Sequence, residues 1–239
     1  MVQLTTRERV DEFWSGTLGV AVAELHRPGV RVFANPPDRE QWRGIYALAF
    51  DKAVSVFVPT DLIDRIAAVA DLDADAVLTP ATWLAVLGDT SHTAFGPVLH
   101  HYRDHGDGLA ELAEGRRINP LDAAALSAFR SAIDPDEWLS AGFTAQPAML
   151  FGRFEGDQMV AAANLTAGPD AATDVGIVIH PEARGKGYGV QIAALAAAQA
   201  LRMHGVARFR ALASSRPMVA IANRLGFVEY GRNLAVYFA

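Results

Sequence analysis

From position 177 to 189 the chain reads Ile-Val-Ile-His-Pro-Glu-Ala-Arg-Gly-Lys-Gly-Tyr-Gly. An apolar, strand-like run ends at a proline, and a glycine-rich turn opens a long stretch with helical spacing. Such a junction aims a row of unpaired backbone N–H groups and the positive end of a helix at one point. That makes it a site for an anion, most naturally a phosphate or pyrophosphate. Glycine lets the backbone come close to phosphate oxygens where a Cβ would collide. Arg184 and Lys186 add positive charge beside it, and Lys186 and Lys52 are the only lysines in the chain. Glu182 reads as a solvated acid favoured by the helix dipole.

Two phosphate-binding patterns fail here. G-x-G-x-x-G breaks in both frames, because Val190 and Ile192 stand at the third glycine position. G-x-x-x-x-G-K-[ST] breaks because Tyr188 follows Gly187 and no Gly-Lys-Ser/Thr occurs.

The elements needed to hold the junction can be read around it. Upstream, 117–119 reads as a short strand and 120–133 as a helix capped by Asn119, with a helical turn over 135–140. Strands follow over 149–154, 158–165 and 174–179, the first two joined by the turn Glu155-Gly156-Asp157. The helix after the glycines runs to about His204 and stops at Gly205. A strand over 208–213, a helix over 217–225 stopped by Gly226 and two strands over 227–238 complete this half.

The remaining pattern, Arg-x-x-Gly-x-Gly at Arg184-Gly185-Lys186-Gly187-Tyr188-Gly189, resembles the pyrophosphate-binding signature of the GNAT superfamily of N-acetyltransferases. The longer run from Val178 to Gly189 is more specific than the hexamer. Ser214-Ser215-Arg216-Pro217, followed by Ala220-Ile221-Ala222-Asn223-Arg224-Leu225-Gly226-Phe227, is similar to the family's second conserved block. The resemblance implies a GNAT domain over residues 115–239, with a mixed, mostly antiparallel sheet flanked by helices. It implies that the strands at 174–179 and 208–213 splay apart and take pantetheine between them. Ile177, Val178 and Ile179 would serve the acyl and pantetheine end. Arg184, Gly185, Lys186, Gly187, Tyr188 and Gly189 would hold the pyrophosphate, and Ser215 belongs to the same cofactor site.

The chemistry implied is attack of a primary amine on the thioester of acetyl-CoA, with a base, an oxyanion hole and an acid for the leaving thiolate. Here the sequence departs from the family. The tyrosine that many members use as acid falls seven residues after a conserved asparagine, and those positions hold Ala222 and Ser215. The strand carboxylate that serves many members lies nine residues ahead of the arginine, where this chain has Val175. Neighbouring Asp174 should face the other way and reads as a surface or turn residue. Ser214, Ser215, Tyr188 and Glu137 are the catalytic candidates, with Tyr230 and Asp136 beside them, and Trp138 lies in the acceptor-side loop region. The function implied is an acyl-CoA-dependent N-acyltransferase acting on a primary amine of a small molecule. The alternative is a non-catalytic acyl-CoA-binding module whose N-terminal half is a partner interface.

Residues 1–110 lie outside the resemblance and read as a smaller α/β region, with a degenerate copy of the same fold as one reading. Thr5–Gly16 has helical spacing with Val10, Phe13 and Trp14 on one face, and 30–33, 45–50 and 53–58 read as strands. Asp51-Lys52 reads as a hairpin turn, Thr60 or Asp61 as the cap of a helix to Val69, and Thr79-Pro80 as the start of another to Leu87. Residues 95–102 fit a strand or a short helix. The polar stretch 103–117 reads as the connection between halves, and His100, His101, His105, Asp104 and Asp107 as part of a solvated connector rather than a metal site. Trp14, Trp42 and Trp83 read as core or interface aromatics.

Composition bounds the rest. The chain has 239 residues, 51% hydrophobic and 20% charged, which are ordinary globular proportions, and the order of its strands and helices reads as α/β (α+β). A net charge of −6 carries no electrostatic footprint for nucleic acid and is compatible with a cationic partner. With no cysteine there is no disulfide, thiolate metal site or cysteine nucleophile. No apolar run reaches the roughly 20 residues of a membrane span, and the polar start does not read as a signal peptide. The expectation is a cytoplasmic protein without membrane, nucleic acid or metal partners, and with homo-oligomerisation left open.

Overall fold

The computed structural model describes residues 5–36, 43–88, 92–143, 149–167 and 173–238. Trp42 falls outside these residues. In chain order the elements begin with α1 (Thr6–Leu18), α2 (Val22–Leu25), β1 (Gly29–Ala34), β2 (Gly44–Phe50), β3 (Ala53–Val58), α3 (Ile63–Ile66), α4 (Ala74–Val77), α5 (Pro80–Leu87) and β4 (His92–Arg103). They continue with α6 (Leu109–Leu112), β5 (Arg116–Arg117), α7 (Ala123–Ser131), α8 (Pro135–Ser140), β6 (Met149–Glu155), β7 (Gln158–Ala167) and β8 (Thr173–Ile179). The last are α9 (Tyr188–His204), β9 (Ala207–Leu212), α10 (Arg216–Arg224) and β10 (Val228–Phe238). This is a mixed α/β fold with mostly antiparallel strands flanked by helices.

The chain forms two compact units that interleave in sequence. The first comprises residues 1–100, 211–216 and 229–239, and the second 101–210 and 217–228. In the first unit the strands are ordered β1-β3-β2-β10-β4, with β1 parallel to β3 and β2 antiparallel to both β3 and β10. A capping box between Thr5 and Glu8 starts α1, and its buried side is Val10, Trp14 and Leu18. Phe13, expected on that face, is only partly buried. Trp83 of α5 fills the core over β2, β3 and β10, its indole N–H donating to the Val77 carbonyl at 2.9 Å. The β2–β3 hairpin turns at Asp51, which takes a left-handed φ of 54° that Asp tolerates better than most residues.

Two expectations for this part need correction, and one open alternative is resolved. The segment from Thr60 to Asp71 is not one helix: a 3-10 turn, the four-residue α3 and a second 3-10 turn follow one another, without a side-chain cap at Thr60 or Asp61. The ambiguous 95–102 segment is strand, within β4. The C-terminal segment is one strand, β10, rather than two, because its antiparallel register with β2 runs unbroken from Arg232 to Tyr237.

The second unit has the order β9-β8-β7-β6-β5. All its neighbours are antiparallel except β8 and β9, which are parallel and joined by the crossover helix α9. Ala193, Ala194, Ala196, Ala197 and Ala200 are fully buried, so α9 lies close on β6, β7 and β8. The opposite face carries Phe129, Ile133, Phe143, Met159, Ala162 and Val178 beneath α7 and α8. The stretch 103–117 is mostly exposed, with Asp104, His105 and Asp107 solvated as expected, but Arg103 and Leu109 anchor it. Arg103 is buried and donates to the carbonyls of His105, Asp107 and Leu225, while Leu109 of α6 is also buried. His100 and His101 are likewise buried on β4, His100 against Asn233 at 2.7 Å. A guanidinium has enough donors to satisfy several backbone carbonyls at once, so Arg103 can tether an otherwise exposed segment.

Candidate functional site

The site forms where β8 ends. β8 pairs with β7 along its whole length, from Thr173 to Ile179. With β9 it pairs only at Thr173↔Ala207, Asp174↔Arg208 and Val175↔Phe209. From Gly176 onward β8 has no register partner on β9 among the described residues, so the two strands part as the family resemblance implied. Strand alternation then sorts the side chains. Val178 joins the core beneath α7 and α8, whereas Ile177 and Ile179 face α9 and approach Gly189.

Past Ile179 the chain makes a tight entry into α9. His180 caps a 3-10 turn, Pro181–Ala183, with its Nδ1 accepting from the Glu182 N–H at 3.3 Å. Gly185 and Gly187 follow with φ of 80° and 86°, and Gly187 is the N-cap of α9 without any side-chain cap. A Cβ on either glycine would meet nothing within 4 Å, so these positions require glycine for backbone conformation and not for space. Val190 and Gln191 donate back to the Gly187 carbonyl. The backbone N–H groups of residues 185–189 have no acceptor among the described residues, and residues 184–187 are exposed. Successive open amides at a helix N-terminus are what an anion needs, and the same loop carries Arg184 and Lys186.

Gly189 has a different role. Its φ is ordinary, but an added Cβ would stand 2.8 Å from Ile221 Cδ1, 3.6 Å from Ile179 Cδ1 and 3.7 Å from Ile177 Cδ1. It lets α9, α10 and β8 pack closely where the loop enters the helix. The sequence marks the glycine but not which of these tasks it performs.

Tyr188 is buried at the first position of α9, with its hydroxyl donating to the Glu155 carboxylate and Arg153 lying over its ring at 5.3 Å. Arg153 also pairs with Glu114 at 2.7 Å and reaches Gln191 Oε1 at 3.4 Å. The first turns of α9 are thereby tied to β6 and to the segment before β5. Glu137 of α8 accepts from Arg184 at 2.7 Å, so the structure joins a catalytic candidate to the signature arginine. Trp138 stacks on Phe143 at 4.3 Å beneath Arg130 at 4.9 Å, and Asp136 donates its N–H to the Asp134 cap of α8.

Asp174 is neither the surface nor the turn residue expected from the sequence. Its carboxylate accepts two hydrogen bonds from Arg208 and lies 3.1 Å from Arg210. Burial works against the Arg208 charge, yet Asp174 and Tyr102 outweigh it and raise the guanidinium above its ordinary value. Ser214 and Ser215 belong to the first unit, in the turn before α10, where Ser215 N–H donates to the Leu212 carbonyl at 2.9 Å. Tyr230, also in the first unit, donates its hydroxyl to Asp11, which holds His26 Nε2 at 2.5 Å. Among the described residues no group of three or more His, Cys, Asp or Glu is placed to hold a metal ion. None of the described helices is long and apolar enough to cross a membrane.

Sequence reasoning missed a close approach at Gly176. A Cβ there would stand 1.9 Å from the Ala141 carbonyl oxygen, which accepts from Asn164 Nδ2 at 3.0 Å. The end of α8 therefore rests directly on β8 at the point where β9 leaves it. A lone glycine between the β-branched residues Val175 and Ile177 was the available signal.

The Acetyltransferase (GNAT) family model matches residues 117–227. None of the curated proteins matches the sequence. Among solved structures, the chain is similar to an acetyltransferase of the GNAT family from Colwellia psychrerythraea, at 17% identity and a TM-score of 0.49 over 66% of this chain and 61% of that one. It is also similar to a GCN5-related N-acetyltransferase from Kribbella flavida, at 23% identity and a TM-score of 0.46 over 65% of this chain and 63% of that one. The match thus spans less than two thirds of either structure's length. Residues 117–227, a little under half of the chain, are thus similar to the acetyltransferase (GNAT) family.

Proposed function

We propose that the chain is an acyl-CoA-dependent N-acyltransferase that moves acetyl from acetyl-CoA to a primary amine of a small molecule. The observation that carries this reading is the run of open backbone N–H groups at residues 185–189, beside a strand that has lost its parallel neighbour. Arg184, Gly185, Lys186, Gly187, Tyr188 and Gly189 would hold the diphosphate. The backbone of Ile177, Val178 and Ile179 would receive the pantetheine arm as an added strand. In the reaction the amine nitrogen attacks the thioester carbonyl, a C–N bond forms, the C–S bond breaks, and the amine's proton is passed on as CoA leaves as its thiol. Orientation alone can supply roughly 7–11 kcal/mol of such a barrier, so the chemistry does not require a dedicated base.

The alternative is an acyl-CoA-binding module without turnover, with residues 1–110 as a partner interface. It is favoured by the engagement of two candidate side chains, Tyr188 with Glu155 and Glu137 with Arg184. Calorimetric titration with acetyl-CoA, with CoA and NAD as controls, tests the site that both readings share. Selective micromolar binding supports it, and no binding by folded protein removes it. Release of CoA thiol with any member of an amine panel then excludes the module.

A further inference from the structure

The contact between Arg184 and Glu137 joins two residues 47 positions apart, with the guanidinium 2.7 Å from the carboxylate. Arg184 leaves the 3-10 turn in an extended conformation, and its side chain reaches Glu137 on α8. α8 is held in place independently. Trp138 and Ala141 pack on the core that contains Val178, the Ala141 carbonyl rests on Gly176, and Asn164 donates to that carbonyl. Glu137 is therefore presented to the arginine by a fixed element.

We propose that Glu137 is a built-in competitor for Arg184: the carboxylate already holds one end of the guanidinium, so a CoA diphosphate must share the arginine with it or displace it, and Glu137 lowers the affinity of the cofactor site. The proposal rests on the CoA reading above. Any anion that uses the loop amides alone leaves the ion pair untouched, whereas one that also recruits Arg184 competes with the carboxylate for it. The side chains are 52% and 39% exposed, which puts the pair among the weaker ones. The competition is therefore a modest handicap that a well-placed diphosphate overcomes.

The test is titration of the full chain with CoA at fixed, low ionic strength. Glu137→Gln is expected to bind CoA about two- to fivefold more tightly than wild type, the span an exposed ion pair supports. That sign separates competition from a supporting role, since loss of a merely structural contact would weaken binding. Removing a negative charge also helps any nearby anion through space, so two further variants isolate the contact. Glu137→Asp keeps the charge but draws the carboxylate back by one methylene, and should show most of the tightening. In an Arg184→Gln background, Glu137→Gln should no longer tighten binding. Equal or weaker binding by Glu137→Gln overturns the proposal, as does undiminished tightening without Arg184. Failure of folded wild type to bind CoA overturns the cofactor reading itself.

Discussion

Asp174 and Arg208 are register partners on β8 and β9 and are also joined side chain to side chain, with Arg208 NH2 2.7 Å from Asp174 Oδ2. The next register pair, Val175↔Phe209, is the last before the strands part. The ion pair thus closes the base of the splay, and Arg210 adds a second cation at 3.1 Å. The pair is nearly buried, with side chains 10% and 14% exposed.

Asp174→Asn should leave the Arg208 guanidinium buried without its counter-charge, a change that typically destabilises by roughly 3–5 kcal/mol. Urea unfolding of the variant should show a loss of that order. If Asp174 were instead the general base, turnover would fall while the unfolding midpoint stayed in place.

The glycines of the loop should separate by mechanism. Gly187→Ala forces an L-residue into a left-handed conformation, at roughly 1–2 kcal/mol, and CoA affinity should fall about tenfold as the amides turn away. Gly189→Ala keeps an ordinary φ and meets the far end of Ile221 at 2.8 Å. Its stability loss should be about 1 kcal/mol and should be largely recovered by adding Ile221→Val, which removes the clashing methyl. Calorimetry and thermal melts on these variants separate the two roles.

The site was legible in the sequence because it depends on local backbone geometry. A strand, a proline and glycines at fixed spacing determine where the amides point, and residues 184–189 stand where that pattern put them. Side-chain partnerships across the fold were not legible. Asp174 is drawn to Arg208, Glu137 to Arg184 and Tyr188 to Glu155 by elements between 33 and 47 positions apart, which no local period encodes. The first unit shows a related limit. Its strands follow β-branched runs that alternation reveals, whereas the broken 60–71 segment and the long β10 are decided by packing and by register with β2.

The rest of α8 on β8 gives a sharper steric prediction. A methyl at Gly176 would stand 1.9 Å from the Ala141 carbonyl oxygen, a backbone atom that no rotamer change can move aside. Gly176→Ala should therefore cost stability near the upper end of the roughly 1–3 kcal/mol seen for overpacking, and it should shift α8. Because α8 carries Glu137, the same variant should also loosen the contact with Arg184. Chemical denaturation reads the first effect, and hydrogen exchange at the Ala141 and Gly142 amides reads the second.

Acid should expose one contribution to stability outside the site. Asp122 accepts a bidentate pair from Arg116 and a hydrogen bond from the Asn119 N–H at 2.9 Å, closing a capping box at the entry to α7. The Arg116 hydrogen bonds, then that backbone N–H, pull its carboxyl from the usual 3.8 down to about 2. A carboxyl with a depressed folded-state pKa stabilises the fold fully above its unfolded value and loses that contribution as pH falls through the folded one. Asp122→Asn should accordingly lower the melting temperature at pH 6, and the gap from wild type should narrow between about pH 4 and pH 2 as both chains become uncharged at this position. Melting curves across that range check it, and a gap independent of pH would show that the carboxylate's charge contributes nothing.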